Sequence, residues 1–455
     1  MTDLCIVYAE VNDLPQVGSV REVPVAEFAL KLVVEPSTLS GSIRIPGSKS
    51  HTIRALAIAS LAEGTSRIRE PLDSLDTMAC VRVCRGLGAR IDLREEWTVK
   101  GTGGRLVCPD NVLDVGNSGT TLYVTLGTAA LGHGWTVFTG DEQIRSRPAG
   151  PLLDALRGLG AEALSTRGDG RAPLLIRGPL KGGQVAVECP TSQYLTSLLI
   201  NCPLAEGDSE IEVLKLNEQP YAGMTLGWLD GQGIRYERDG FRRFRVRGGQ
   251  SYRAFEREIP ADFSSATFFL VAAAITGSEV TLLGLDRDDT QGDKAVVDML
   301  AAMGAQVEWL PGGVRIRGGS LRGGEFDLNA TPDALPAMAV AGCFASGETR
   351  LVNVPQARIK ETDRLAVMHE ELGKMGARIE ELPDGLVIQG AGLHGAAVNG
   401  HDDHRVVMAL AVAGLAATGQ TEVATAQAAA VTFPTFVELM TALGARIKSL
   451  EAMAW

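Results

Sequence analysis

The sequence predicts an α/β protein of six repeats, each about 70 residues long, that divide three and three into two domains of similar size. Two interleaved glycine phrases, each present six times in 455 residues, are the first sign of this repetition. Each phrase links an apolar, helix-like stretch to a run with the alternation or β-branching of a strand. Because ordinary solenoid repeats span roughly 20–50 residues, units of this length favour compact subdomains gathered around common axes.

The two glycine phrases define the repeat. The first reads hydrophobic-Gly-Ala-x-hydrophobic in five copies and Gln-Gly-Ile-Arg-Tyr in the third. Its glycine returns every 68–73 residues, at Gly88, Gly160, Gly233, Gly304, Gly376 and Gly444. The second is an apolar helical stretch, then glycine, a polar residue and a strand-like run. It returns every 70–73 residues, at Gly64, Gly134, Gly207, Gly277, Gly347 and Gly419. Because glycine lacks a Cβ, we expect these residues to end helices in the left-handed conformation.

The domain boundaries follow from the division of six units into three and three. We expect the chain to cross between domains at Pro46-Gly47 and at Glu258-Ile259-Pro260-Ala261. One domain then comprises residues 47–258, and the other comprises residues 29–46 plus 259–455. Residues 1–28 lie outside the repeats and are expected to form an extension. This segment has neither a basic region nor a long apolar run, so it does not resemble a secretory signal or an organellar transit peptide.

Composition narrows the class of protein. The 43 Lys and Arg and 55 Asp and Glu give a formal net charge of −12, which argues against a protein that coats nucleic acid. Apolar residues make up 45%, which supports a large core. The longest apolar runs reach about a dozen residues, whereas a membrane span needs about 20. Seven cysteines without C-x-x-C fit a reducing compartment. We therefore expect a cytoplasmic protein with no nucleic-acid or membrane partner. We also expect a monomer, although composition does not bear on this point.

Polar segments open several helices of the first three repeats. They are Ile45–Arg54, Val115–Thr121, Gly140–Pro148 and Pro190–Gln193. Each alone is ordinary capping chemistry, and the first is not a P-loop because Ser48 separates Gly47 from Lys49. Together they place hydroxyls, amides and cations at equivalent helix starts, which converge if the repeats pack around an axis. Summed helix dipoles and charges at such a point predict a pocket for a polyanion.

The second half of the chain adds mixed charges at its own helix starts. Asn329–Asp333, Arg358–Arg364 and His401–Arg405 supply cations, carboxylates and two histidines. The segment K-E-T-D-R could be a solvated helix start, whose internal ion pairs contribute little. The spacing H-x-x-H could hold a metal ion, but no third ligand stands at a suitable distance, so we expect no metal.

Seven motifs occur in order along residues 30–455: PGSKS-x-x-x-R, GNSGTT, SRP-x-G, TSQ, PD before an apolar helix, R-x-KETDR and DHR. In sequence, order and spacing they resemble the motifs of the 5-enolpyruvylshikimate-3-phosphate synthase family. The resemblance implies an inside-out α/β barrel of two domains, each with three βαβαββ units, and an active site between them. It also implies transfer of the enolpyruvyl group of phosphoenolpyruvate to the 5-hydroxyl of shikimate 3-phosphate, with release of phosphate and without metal or organic cofactor. Both substrates are polyanions, which matches the cation clusters.

The resemblance also implies the site residues. Around phosphoenolpyruvate it places Lys49, Arg147, Arg364 and Arg405, with Gly119, Asn117 and Thr120 of the GNSGTT stretch and Gln193 nearby. Around the acceptor it places Ser50, Arg54, Thr191, Ser192, Gln193, Tyr221, Asp333, Gln356 and Lys360. The reaction needs an acid to protonate the methylene carbon and a base for the acceptor hydroxyl. The candidates are Lys49, Asp333, Glu361 and His404, of which Asp333 and Glu361 are favoured.

Four positions depart from the family pattern. Tyr123 stands where the family usually has Arg, and Glu218 replaces a serine that contacts the acceptor phosphate. Gln356 replaces Asn, and Val431 stands where some members carry Lys. A carboxylate facing a phosphate would repel it, by about 1 kcal/mol or more at partial burial. Most of these changes lie on the acceptor side, whereas the donor side is nearly intact.

Three alternatives to this function remain open. The chain could be a paralogue that uses the same donor on another alcohol or runs a related elimination, an idea that Glu218 motivates. It could be a non-catalytic anion-binding protein, although its acid–base groups are present. The sister enzyme that acts on UDP-N-acetylglucosamine is disfavoured, because its cysteine loop would fall near Gly140–Arg147, where the sequence has no Cys.

Overall fold

The computed structural model describes residues 28–453. Residues 1–27 of the expected extension, with Cys5, and the last two residues lie outside the described part. The strands before residue 260 are β1 (Phe28–Glu35), β2 (Ser40–Arg44), β3 (Thr65–Arg69), β4 (Arg90–Leu93), β5 (Trp97–Lys100), β6 (Leu113–Asp114), β7 (Thr136–Thr139), β8 (Glu162–Ser165), β9 (Leu174–Arg177), β10 (Gly183–Cys189), β11 (Ser209–Leu216), β12 (Tyr236–Asp239), β13 (Arg243–Val246) and β14 (Glu256–Glu258).

The later strands are β15 (Glu279–Leu283), β16 (Gln306–Leu310), β17 (Gly313–Arg317), β18 (Glu325–Asp327), β19 (Glu348–Val352), β20 (Arg378–Leu382), β21 (Gly385–Gln389), β22 (Ala397–Asn399), β23 (Thr421–Ala424) and β24 (Arg446–Met453). The helices are α1 (Lys49–Leu61), α2 (Leu75–Gly86), α3 (Gly119–Ala129), α4 (Glu142–Ser146), α5 (Gly150–Gly158), α6 (Ser192–Asn201), α7 (Gln219–Gly231), α8 (Phe263–Thr276), α9 (Ala295–Met303), α10 (Leu335–Phe344), α11 (Arg364–Lys374), α12 (His404–Ala416) and α13 (Phe436–Ala442).

The strands form six four-stranded sheets of one design. Their orders are β14-β3-β5-β4, β6-β7-β9-β8, β10-β11-β13-β12, β2-β15-β17-β16, β18-β19-β21-β20 and β22-β23-β1-β24. In each, the first two strands are parallel and the remaining pairs are antiparallel. This common order confirms the predicted α/β class with six repeats.

Two separate hydrophobic cores divide the molecule into two lobes. The first lobe is built around buried side chains between residues 53 and 259. The second lobe is built around buried side chains at 32–45 and between 261 and 447. Strand β2 pairs with β15 of the second lobe and is followed by α1 of the first, whereas β14 pairs with β3 of the first lobe and is followed by α8 of the second. The chain therefore passes between lobes twice.

Helices occupy the middle of each lobe, and the sheets lie outside them. Helices α1, α3 and α6 in the first lobe, and α8, α10 and α12 in the second, are buried on nearly every face. Beyond their first turns, α8, α10 and α12 are mainly apolar on every side, as fully buried helices usually are, whereas α1, α3 and α6 also bury polar side chains such as Arg54, Thr125 and Ser197. Strands such as β3 and β13 alternate exposed and buried residues, so one face of each sheet meets solvent. Among the helices of the described part, none is long and apolar enough to cross a membrane.

The positions of the two phrases require glycine for two different structural reasons. All six glycines of the first phrase have positive φ, which confirms the expectation of a left-handed conformation. In the second phrase the expectation is wrong at Gly134 and Gly207, whose φ is not positive. There a side chain would collide with Cys108 and with the backbone oxygen of Lys181, respectively, so these positions need glycine for close approach rather than for φ.

A third glycine series escaped the sequence analysis. In five units a glycine follows the last hairpin strand and lies against backbone oxygen atoms. Gly101, Gly178, Gly318 and Gly390 meet the end of a buried helix, and Gly248 meets Gly207 in the turn after α6. A Cβ at any of them would overlap that backbone. These contacts fix how closely each sheet approaches its helix.

We predict that Gly390→Ala destabilises the protein by about 2–3 kcal/mol, because the new methyl group would overlap the carbonyl oxygen of Ala345 and backbone must move. Gly373→Ala is the matched control. Gly373 is exposed within α11 with open space around its Cα, so alanine there should stabilise by about 0.5–1 kcal/mol. Urea unfolding followed by circular dichroism measures both. Equal unfolding midpoints for the two variants would contradict the prediction.

Candidate active site

Five helices begin at one cavity between the lobes. Lys49, Gly119 and Ser192 open α1, α3 and α6 of the first lobe, and Arg364 and His404 open α11 and α12 of the second. The caps are local: Ser118, Thr191, Asp363 and Asp403 accept hydrogen bonds from backbone N–H groups of the turns they precede. The free N–H groups and dipoles of five helix starts make this point attractive to anions.

The cavity collects most of the predicted site residues. Those that line it are Lys49, Ser50, Arg54, Gly119, Thr120, Arg147, Ser192, Gln193, Tyr221, Asp333, Lys360, Glu361, Arg364, His404 and Arg405, joined by Asp76 and Glu218. Three predicted residues lie off it. Thr191 and Gln356 line a smaller adjacent cavity with Tyr123, and the Gln356 amide donates to the backbone oxygen of Asn329. Asn117 donates instead to Asp141 and Gln143.

Arg364 is the centre of the ionic network. Its guanidinium is 1% exposed and donates to Asp403 Oδ2 at 2.8 Å, to Asp333 Oδ1 at 2.9 Å and to Glu361 Oε2 at 2.5 Å. Arg405 Nη2 lies 3.0 Å from Asp333 Oδ2. Each carboxylate thus meets a guanidinium at hydrogen-bond distance, which makes these the stronger kind of ion pair.

Ion pairs also join the two lobes across the cavity. Arg147 Nη2 of the first lobe lies 3.0 Å from Glu361 Oε1 of the second, although the angle between them is too poor for a hydrogen bond. Lys360 of the second lobe contacts Glu218 of the first and lies 3.9 Å from Asp333 Oδ1. Gly119 permits the position of Arg147, because a side chain at 119 would run into that guanidinium.

The cations keep two carboxylates ionised. Burial alone would raise the pKa of Asp333, but Arg405, Lys360 and Arg364 hold it well below its usual value. Burial likewise opposes the charge on Glu361, and Arg147 and Arg364 hold its pKa well below its usual value. Both groups are therefore proton acceptors at neutral pH in this arrangement.

His404 differs from these carboxylates. Burial lowers the pKa of His404 well below its usual value, against the opposing effect of Glu361, so the ring is neutral at pH 7. Neither ring nitrogen has a hydrogen-bond partner among the described residues. His401 does not join it in a metal site: its Nε2 lies 2.7 Å from Oε1 of the buried Glu371, beside Glu370 and Lys374.

Arg54 is held by neutral groups rather than by carboxylates. It donates to Thr225 Oγ1, Thr196 Oγ1 and the backbone oxygens of Ser50 and Tyr221, at 2.9–3.1 Å. Burial lowers the pKa of Arg54 to about 10, so it stays charged at neutral pH. It therefore carries a cation to the cavity and ties α1, α6 and α7 together.

Two buried carboxyl groups of the site were missed from the sequence. Asp76, at the start of α2, pairs with Lys49 at 3.1 Å, and burial raises the pKa of Asp76 despite that pairing. Asp293, just before α9, accepts a hydrogen bond of 2.5 Å from Tyr221 of the other lobe and another from Ser264. Neither residue belongs to a recognisable motif. From the sequence, Asp76 is indistinguishable from an ordinary acid in the first turn of a helix, and Asp293 from an acid in a polar loop.

We predict a pH-dependent stability from Asp293. Burial, with the nearby charge of Asp333, raises its pKa to about 6, above the value of about 3.9 in an unfolded chain. The folded protein holds the proton more tightly, so this stabilisation is present below about pH 4 and is lost as the pH rises to about 6.

The test compares wild type with Asp293→Asn, which cannot titrate. The free energy of unfolding of wild type relative to Asp293→Asn should fall by up to about 3 kcal/mol between about pH 4 and 6 and stay constant above about pH 7. Asp298→Asn on the exposed face of α9 is the control and should show a flat difference. A flat difference for Asp293→Asn as well would sink the prediction.

Comparisons with known proteins point to one family. Residues 33–440 match the family model described as EPSP synthase (3-phosphoshikimate 1-carboxyvinyltransferase). The 3-phosphoshikimate 1-carboxyvinyltransferase of Ruminiclostridium cellulolyticum is 56% identical over 92% of this chain and 99% of its own length. The protein of that name from Acetivibrio thermocellus is 57% identical over 92% of this chain and its whole length.

A solved structure extends the comparison to three dimensions. EPSP synthase from Acinetobacter baumannii superposes with a TM-score of 0.79 at 28% identity, and covers 92% of this chain and the whole of that one. With the family model matched along both lobes, the chain belongs to the EPSP synthase family.

Proposed function

We propose that this enzyme transfers the enolpyruvyl group of phosphoenolpyruvate to the 5-hydroxyl of shikimate 3-phosphate and releases phosphate. The observation that carries the proposal is the cavity itself. Six Lys and Arg side chains and four carboxylates line it at five helix starts, in a protein whose net charge is −12. A local excess of positive charge in an acidic protein suits small polyanionic substrates.

The donor cations are Lys49, Arg147, Arg364 and Arg405. In the structure they are paired with Asp76, Asp333 and Glu361. The carboxylate and phosphate groups of phosphoenolpyruvate compete for the same cations when the donor binds. The cations also oppose the negative charge of the tetrahedral intermediate, which is where such groups contribute most to rate.

The acid–base roles fall to Asp333 and Glu361. In the addition step the 5-oxygen bonds to C2 of phosphoenolpyruvate while C3 takes a proton, and in the elimination step C3 loses a proton and phosphate departs. Asp333, ionised beside Lys360, takes the hydroxyl proton. Glu361 exchanges the proton of C3: once the donor engages Arg147 and Arg364, the pKa of Glu361 rises and it can carry a proton. His404 and Lys49 stand beside Glu361 as further candidates.

Substrate entry requires movement of the lobes. The cavity measures about 40 Å³, room for a few water molecules at roughly 10–15 Å³ each and too little for two substrates. When a substrate binds, its anionic groups can replace Glu361 at Arg147 and Glu218 at Lys360. The ion pairs between the lobes then break, so the lobes can separate and close again.

We propose domains at 47–258 and at 29–46 plus 259–455, supported by the two cores.

The cellular setting is part of the proposal. Six free cysteines among the described residues suit a reducing compartment such as the cytoplasm. One chain supplies both lobes of the cavity, so the site is complete in a monomer. Light scattering of the purified protein near 48 kDa would support this, and a larger mass would count against it.

The alternative function is transfer to a different acceptor, and Glu218 in the cavity is the observation that favours it. Steady-state assays with phosphoenolpyruvate and shikimate 3-phosphate decide between the two. We expect release of inorganic phosphate that depends on both substrates. No release at millimolar concentrations of each would reject the proposed acceptor.

We predict that Asp333→Asn and Glu361→Gln each lower kcat by about 100-fold or more, because each removes a proton carrier while keeping the shape of the side chain. Glu380→Gln, on the exposed face of β20, is the control and should keep wild-type kcat. Circular dichroism verifies folding of all three. If either site variant kept the wild-type kcat, the proposed acid–base role of that residue would be wrong.

A further inference from the structure

Glu218 occupies an unusual position between β11 and α7. It lies in the left-handed region at φ 58°, where non-glycine residues are uncommon, and is 2% exposed. Its backbone N–H donates to Asn329 O of the other lobe at 3.2 Å. Residues held in such conformations concentrate at binding sites and switches, where surrounding contacts fix them.

The side chain of Glu218 fills a complete set of anion-binding donors. Its Oε2 accepts hydrogen bonds from Thr191 Oγ1 at 3.0 Å, Ser192 N at 3.1 Å and Ser192 Oγ at 2.9 Å. Its Oε1 accepts one from Lys360 Nζ. Two hydroxyls, the N–H at the start of a ten-residue helix and an ammonium group form a receptor for an oxyanion. The protein's own carboxylate is its occupant.

This receptor opens on the cavity that takes the substrates. Ser192, Glu218 and Lys360 line the cavity, and Thr191 lines the smaller space beside it. A phosphorylated acceptor brings a dianion to the same cavity. Two anions cannot share one set of four donors, because each donor can align with only one of them and the charges repel.

We infer that Glu218 is an internal competitor for the phosphate of the acceptor: its carboxylate occupies the phosphate-binding donors and must leave them when the phosphorylated acceptor binds. This inference rests on the proposed function, from which the acceptor phosphate comes. Its consequence is quantitative. If the donors are free in only a tenth of the molecules, the apparent affinity for the acceptor falls about tenfold. Glu218 is then a specificity-determining residue that weakens the preference for a phosphorylated acceptor.

A structural role would have the opposite signature. If Glu218 served only to hold Thr191, Ser192 and Lys360 in place, its removal would misplace those donors, and the acceptor would bind less tightly. The two roles therefore predict opposite changes in one measured quantity.

The kinetic test uses Glu218→Gln, which removes the charge, and Glu218→Ser, which also removes the bulk. We expect the KM for shikimate 3-phosphate to fall about tenfold in both, and the KM for phosphoenolpyruvate to stay within about twofold of wild type. The ratio of kcat/KM for shikimate 3-phosphate to that for shikimate should rise by a similar factor. Glu212→Gln, on the exposed face of β11, is the matched control. An unchanged or raised KM for shikimate 3-phosphate would overturn the inference.

A binding test separates this inference from the proposed function. Titration calorimetry with inorganic phosphate needs no turnover, so it applies even if wild type fails to use shikimate 3-phosphate. Glu218→Ser should bind inorganic phosphate about tenfold more tightly than wild type and Glu212→Gln. Equal affinities in the three proteins would refute competition by Glu218. Absence of turnover in wild type, with tighter phosphate binding in Glu218→Ser, would instead reject the acceptor and keep the inference.

Discussion

The convergence of helix starts between the lobes is the constraint on which the rest of the structure depends. Five helix N-termini and six Lys and Arg side chains meet at one cavity, where positive charges would repel each other without partners. Close-contact glycines set sheets against two of these helices: Gly101 lies against the end of α1, and Gly178 lies against the end of α3. The packing of the repeats and the electrostatics of the site are therefore linked through the same helices.

In the free enzyme, carboxylates of the protein neutralise part of the positive charge of the Lys and Arg side chains in the cavity. The same ion pairs contribute to the stability of the closed arrangement and compete with substrate anions. Arg147–Glu361 and Lys360–Glu218 join the lobes with buried ion pairs. Pairs of this kind give little net stabilisation, because removal from water offsets most of the attraction, yet breaking one without replacement is strongly unfavourable. A substrate anion that takes the place of Glu361 at Arg147, or of Glu218 at Lys360, keeps the cation paired. The closed arrangement can therefore give way to a substrate-bound one without a large barrier from unpaired charge.

The fold could be predicted from the sequence because it repeats: six copies of two glycine phrases define the unit. The residues that line the cavity were predicted mainly from the resemblance of ordered motifs at helix starts to those of a known family. It missed Asp76 and Asp293, whose partners Lys49 and Tyr221 lie 27 and 72 residues away with no local pattern to connect them. It treated Glu218 as a charge that would face a phosphate, whereas the structure pairs it with Lys360 and three further hydrogen bonds. Side-chain partners that are distant in sequence, within a lobe as for Asp76 or across the lobe boundary as for Asp293, leave no periodic signal, so only three-dimensional packing reveals them.

Two departures from the pattern that the sequence resembles, Tyr123 and Glu218, lie near each other: Glu218 lines the cavity, and Tyr123 lines the smaller space beside it. Tyr123 stands where the family usually has a cation; its hydroxyl donates to Pro148 O, and its ring packs edge-on against Tyr194. It lines the same small space as Thr191 and Lys360, the residues that Glu218 engages. Relative to that pattern, one position loses a positive charge and the other gains a negative one, so the positive potential falls around Lys360, while Arg147, Arg364 and Arg405 keep theirs. Because the two changes adjoin the same residues, the proposed function predicts that they weaken the hold on a phosphorylated acceptor together, and that they spare the cations proposed for the donor.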